Sequence, residues 1–303
     1  MASRRNRVLY NGTRMPDLTG ELQFRLRGHV RFLAGVVGER NSHRYRRLER
    51  AREYIEEVFK QSGYRIGHDQ YECGGKEYRN VVATVPGAAS SDPVLVVGAH
   101  YDTALGSPGA DDNASGVAVL LELARVLGDE SASGSIRCVA FTLEESPHFK
   151  TESMGSRVYA RRCRRRGDSI RGMISLEMVG YYSDARGSQR HPISLMRWFY
   201  PDRGNFIAVA GNYASRHLVR RLSRLLSAHG DLPVEHIALP FVPGVDLSDN
   251  WSFWQEGYPA LMVTDTAFFR NRHYHRSTDL PETLNYRSME LLVRGMAESL
   301  VRI

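Results

Sequence analysis

From residue 80 onward, short β-branched runs alternate with helical stretches, and this alternation is what most narrows the folds open to the chain. NVVATV (80–85) and VLVVGAH (94–100) read as strands separated by the turn-rich PGAASSDP. VAVLLELARVLG (117–128) reads as a helix, IRCVAFTL (136–143) as a strand, SMGSRVYARRCRRR (153–166) as a helix and MISLEMV (173–179) as a strand. The pattern repeats with strand FIAVAG (206–211), helix ASRHLVRRLSRLLSAHG (214–230), strand ALMVTDTA (260–267) and the closing helix 285–303. Strands joined through helices run mainly parallel, and such a sheet is covered on both faces. The expected fold class is α/β, a three-layer α/β/α sandwich around a central, largely parallel mixed sheet. Before it, residues 18–63 read as helical, with Leu48, Ala51, Tyr54, Ile55 and Phe59 at helical spacing and Gly63 as the stop. The 303 residues suffice for one domain over 18–303, preceded by a flexible basic arm over 1–17.

No apolar run approaches the roughly 18–20 residues a membrane-spanning helix needs. The basic N-terminus lacks the apolar core of a signal peptide, so the expected location is cytoplasmic, or exported if a leader has been removed. Cys73, Cys138 and Cys163 have no close-spaced metal pattern and read as free thiols. The net charge of +7 rests on 38 arginines against three lysines, and the densest cluster, Arg161 to Arg166, fits the last turn of a helix. No nucleic-acid motif accompanies it.

The chemistry gathers at strand ends, where sites of open α/β sheets form. His100, Glu144, Glu145 and Glu177 all fall at or near such ends, while Asp112 lies in the loop GADDNASG and His275 in HYHRSTDLPE. Two imidazoles (His100, His275) and three carboxylates (Asp112, Glu145, Glu177) form a donor set for a borderline divalent cation such as zinc, and point to a two-zinc hydrolase site. Glu144 stands beside a ligand without being one, which suits a general base. Asp102, two residues beyond His100 on an extended chain, suits the carboxylate that orients the imidazole. His273 reads as a rim residue.

These segments resemble the co-catalytic di-zinc aminopeptidases, and the resemblance covers roughly residues 78–290. It is carried by HYD at 100–102, GADDNASG, the Glu144–Glu145 pair, SDNWSFWQEGYPA (248–260) and the H-x-x-x-D-x-P-E pattern at 275–282. The resemblance implies two Zn2+ per chain, bridged by Asp112, with His100 and Glu177 on one, Glu145 and His275 on the other, and a cis peptide after Asp112. It departs from the family in Glu177, where the family usually has Asp, and in Asn250, where it usually has His. It implies an aminopeptidase that cleaves the N-terminal peptide bond of peptides with a free amino end, through a zinc-bound water activated by Glu144. Tyr274 is expected to hydrogen-bond the developing oxyanion. The aromatics Tyr181, Tyr182, Trp251, Phe253, Phe268 and Phe269 are candidates for a side-chain pocket. Rival readings are a carboxypeptidase or amidohydrolase on the same scaffold, a glutaminyl-cyclase-like enzyme, and a receptor-like domain that has lost the ligands.

Overall fold

The structure, a computed structural model, describes residues 19–85, 93–128, 135–239 and 241–303; the arm expected over 1–17 lies outside them. Helix α1 (Thr19–Val30) runs on through a wider turn over Arg31–Val37, and helix α2 (Tyr45–Gln61) follows. The segment expected to be helical, 18–63, is thus helical in two lengths with a break between them. Gly38, at φ 73°, leaves the helical path, and Asn41 caps a new start by accepting from the amides of His43 and Arg44. A buried Arg40 lies in this break.

Strands β1 (Ile66–Cys73), β2 (Lys76–Val85) and β3 (Val94–His100) lead to helix α3 (Gly116–Gly128), strand β4 (Ile136–Phe141), helix α4 (Gly155–Arg166) and strand β5 (Ile170–Glu177). Then come strand β6 (Ile207–Gly211), helix α5 (Arg216–His229), strand β7 (Val234–Ala238), helix α6 (Asn250–Gln255), strand β8 (Ala260–Thr264) and helix α7 (Tyr286–Leu300). The strands form one sheet in the order β1-β2-β4-β3-β5-β8-β6-β7. β4, β3, β5 and β8 are parallel neighbours, as are β6 and β7, while β1-β2, β2-β4 and β6-β8 pair antiparallel. The fold is the expected mixed α/β sandwich.

The central strands read as unbroken apolar runs because both faces are covered. Leu95, Val97 and Ala99 join a large core with α2, α3, α5 and α7, whose Leu48, Leu121, Leu222 and Val293 meet there. Val94 and Val96 face the other way, against Tyr159 and Ala160 of α4 and Phe253 of α6. The same alternation sorts β5: Ile174 and Leu176 enter the large core, Met173 the smaller one. Glu177 shares the parity of Met173 and therefore rises on the α4/α6 side, at the carboxyl end of its strand.

β1 and β7 carry no apolar run that a sequence reading would single out. β1 alternates mostly exposed and half-buried residues, and β7 is half-buried or exposed throughout. Both are edge strands fixed by pairing rather than by burial.

One close approach makes the sheet sensitive to a single methyl group. A Cβ at Gly98 in β3 would lie 2.3 Å from Cε2 of the Phe141 ring, which is fully buried. Gly98→Ala is expected to destabilise the protein by about 1–3 kcal/mol through overpacking, read as a lowered urea midpoint with an unchanged slope. An unchanged midpoint would show that the ring moves aside at no cost.

Candidate functional site

Two strands deliver their last residues, and a third the turn that follows it, to one place above the sheet. β3 ends on His100 and β5 on Glu177. β4 ends at Phe141, and the chain turns at Leu143, whose φ of 54° bends Glu144 and Glu145 back over the sheet. Asp102 fixes that turn: its two carboxylate oxygens accept from the backbone amides of Glu144 and Glu145, each at 3.0 Å. Asp102 Oδ1 also lies 3.4 Å from His100 Nδ1. The residue expected to orient one ring thus also clamps the acidic pair, a role that spacing does not reveal.

Asp112 occupies the centre. Its Oδ1 is 3.3 Å from His100 Nε2 and its Oδ2 is 3.1 Å from His275 Nε2. Glu177 Oε2 stands 3.3 Å from His100 Nε2, and Glu145 Oε1 3.3 Å from His275 Nε2. Two trios result, His100–Asp112–Glu177 and Asp112–Glu145–His275, each with its donor atoms within 4.8 Å of one another. They share Asp112, one oxygen turned to each. Glu144 belongs to neither trio; its Oε2 is 3.9 Å from His100 Nε2. All these groups are buried except His275, which is partly open to solvent.

The residues fit divalent cations. Nε2 of His100 and Oε1 of Glu145 are buried and make no hydrogen bond, although carboxylate oxygens or a ring nitrogen stand 3.3 Å away. Buried polar atoms that face a common centre without bonding one another need a third body to satisfy them. Imidazole and carboxylate are also the donors zinc takes.

Burial opposes a charge on His100, yet the carboxylates of Glu177 and Glu144 outweigh it and hold the imidazole well above its usual pKa. His275 is likewise pushed up to about 10 against its burial, by Asp112 and Glu145. Burial raises Glu144, and raises Glu145 to about 7 with help from Asp112. Asp112 is the exception: burial would raise it, but the two imidazoles of His100 and His275 beside it outweigh burial and hold it below the usual carboxylate range.

The surroundings hold the backbone of the site. Asp279 accepts from the amides of Asp111 and Asp112 at 2.9–3.1 Å, and the peptide from Asp112 to Asn113 is cis. Ser248 donates to Glu177 Oε2 at 2.7 Å. Arg40 is fully buried and donates to the carbonyls of Leu33, Gly38, Tyr101, Pro108 and Gly109, tying the end of β3 to the loop before Asp112. Burial lowers its pKa to about 10, so it remains a cation beneath the acid cluster. Nothing in the local sequence marks Arg40, three of whose five partners lie 61–69 residues away, and the contact of Ser248 with Glu177 spans 71 residues. Asn250 turns from the site and donates to the Val245 carbonyl. His273 bonds Thr278 at the rim.

Tyr274 stacks on the His275 ring at 3.7 Å and packs against Phe268. Burial and the carboxylates of Asp112, Glu145, Glu177 and Glu144 raise its phenol, so it stays a proton donor at neutral pH. Tyr274 and Glu177 both border an apolar pocket lined by Phe206, Val242, Met262, Phe268 and Phe269 among others. Of the other aromatics expected there, Phe253 packs in the α4/α6 core, Tyr182 packs against the large core, Trp251 lines a separate hollow and Tyr181 lies beside His273.

This architecture has close counterparts. Protein YfbL of Escherichia coli K12, uncharacterized, is 42% identical over 276 residues, covering 88% of this chain and 84% of its own. At 22–27% identity the chain matches leucine aminopeptidases, such as leucine aminopeptidase 1 of Chaetomium globosum, and spans 49–61% of their length. BSAP, a zinc aminopeptidase from Bacillus subtilis, superposes with a TM-score of 0.73 at 13% identity, over 92% of this chain and 94% of that one. A glutaminyl cyclase from Bacteroides thetaiotaomicron superposes with a TM-score of 0.69 at 14% identity, over 93% and 98%. The family model for peptidase family M28 matches residues 80–300, a span that holds every residue of both trios. The chain therefore belongs to peptidase family M28 and is a metallopeptidase.

Proposed function

We propose that the chain is an aminopeptidase that works with two zinc ions. The observation that carries this reading is the division of Asp112 between two complete donor trios. His100, Glu177 and one oxygen of Asp112 would hold the first ion; Glu145, His275 and the other oxygen would hold the second. Bound there, the ions would supply a polarised scissile carbonyl and a water acidic enough to attack at neutral pH.

The protein's own groups do the rest. Glu144, left outside both trios, takes the proton of the attacking water and returns it to the leaving amine. Asp102 keeps Glu144 and Glu145 at fixed positions through their backbone amides. The Tyr274 phenol donates to the oxygen that becomes negative as the carbonyl carbon turns tetrahedral. The substrate's free amino group is held by the acidic cluster, and the apolar pocket beside Glu177 takes the side chain of the first residue.

The likeness to a glutaminyl cyclase supports a second reading, cyclisation of an N-terminal glutamine on one metal. The second trio is unexplained by it. Assay of zinc-loaded protein on an aminoacyl amide, an N-blocked aminoacyl amide and an N-terminal glutamine peptide separates the readings. The free aminoacyl amide is expected to be hydrolysed and the blocked one spared. Cleavage of the blocked amide, or loss of ammonia from the glutamine peptide alone, would overturn the aminopeptidase reading. In the same assay Glu144→Gln is expected to keep its zinc and lower kcat on the order of 10²–10⁴-fold; loss of zinc instead would place Glu144 among the ligands.

Tyr274→Phe removes the hydroxyl and keeps the stacked ring. Its kcat is expected to fall about 10- to 100-fold with KM and zinc content little changed. An unchanged kcat with a lowered melting temperature would reduce Tyr274 to packing against His275.

A further inference from the structure

The floor of the apolar pocket is set by strand register. Glu177 of β5 pairs with Thr264 of β8, Thr264 with Ala208 of β6, and Ala208 with Glu235 of β7. The next row on the same face runs Ser175, Met262, Ala210 and Ile237. Residues paired directly across a sheet share a face. One row therefore has a carboxylate at each end, Glu177 in the candidate metal centre and Glu235 on the edge strand. Three strand spacings separate them, about 14 Å. Ala208 and Ala210 are small and leave the path between them open, and Met196, Tyr200, Val242 and Phe269 wall it.

Glu235 borders this pocket half-buried, and its carboxylate has no hydrogen bond or ion pair among the described residues. Burial raises its pKa and nearby His236 only partly offsets this. A partly desolvated carboxylate without a counter-charge is unfavourable until a cation reaches it. Apolar walls that end in a carboxylate complement a methylene stem that ends in a cation.

We infer that Glu235 is a specificity-determining residue and that the pocket prefers N-terminal lysine or arginine. This rests on the aminopeptidase reading. The pocket also borders Arg190, but that side chain is exposed and its guanidinium donates to the Phe268 carbonyl, so its charge is engaged at the rim.

The test compares kcat/KM for lysyl, arginyl, leucyl and glutamyl amides on zinc-loaded wild type, Glu235→Gln and Glu235→Lys. Wild type is expected to favour the lysyl and arginyl amides over the leucyl one by about 10-fold or more. Glu235→Gln is expected to lower the lysyl-to-leucyl ratio on the order of 10- to 100-fold, the usual worth of a hydrogen bond to a charged group, and Glu235→Lys to move preference toward the glutamyl amide. The change should lie mainly in KM, and binding of free L-lysine against L-leucine should shift in parallel. A ratio that Glu235→Gln leaves unchanged would overturn the inference while leaving the aminopeptidase reading intact. A wild-type preference for the glutamyl amide would also overturn it and assign selectivity to Arg190. Failure to cleave any free aminoacyl amide would remove the aminopeptidase reading itself, and this inference with it.

Discussion

Everything in this molecule that bears on chemistry depends on one crowded aspartate. Asp112 is buried, and its two oxygens serve two different imidazole–carboxylate pairs. Four carboxylates (Asp112, Glu144, Glu145 and Glu177) meet there against two histidines, in a place where water does not screen them. Such a cluster is stable only when protons or cations balance it. The carboxylates raise the pKa of both imidazoles, His100 and His275, against their burial. A divalent cation would have to displace protons from such groups, so its affinity should grow as pH rises.

The scaffold answers this electrostatic demand with backbone clamps rather than with side chains that compete for the cations. Asp102 holds the amides of Glu144 and Glu145, and Asp279 holds those of Asp111 and Asp112. Arg40 gathers five carbonyls beneath the site and places one permanent cation under the acid cluster. Metal ligands are commonly oriented by such outer hydrogen bonds. Here most of these bonds fix main chain, while Ser248, donating to Glu177 Oε2, and Asp102, beside His100 Nδ1, act on side chains of the candidate site directly.

How much of this was legible in the sequence follows from where each signal lies. The central strands announce themselves because burial on both faces demands continuous apolar runs, and the acidic or imidazole residue that closes His100's and Glu177's strands stands out against them. β1 and β7 stay hidden because edge strands are fixed by partners distant in sequence. The helix break at Gly38–Asn41 is masked by the helical pattern around it, so Arg40 reads as one more surface arginine. The double duty of Asp102 depends on the positive φ at Leu143, which no spacing encodes. Pocket aromatics are the weakest signal: Phe268 and Phe269 line the pocket, whereas Phe253 is core, and composition alone does not separate the two roles.

The central claim, that Asp112 is shared by two cation sites, is tested most directly by counting metal. Protein stripped by chelator and titrated with zinc should bind two ions per chain and release protons as it does so. Asp112→Asn, if folded by circular dichroism, should bind at most one ion in the same titration. A wild-type stoichiometry of one, or two ions held undiminished by Asp112→Asn, would contradict a shared aspartate at the heart of the site.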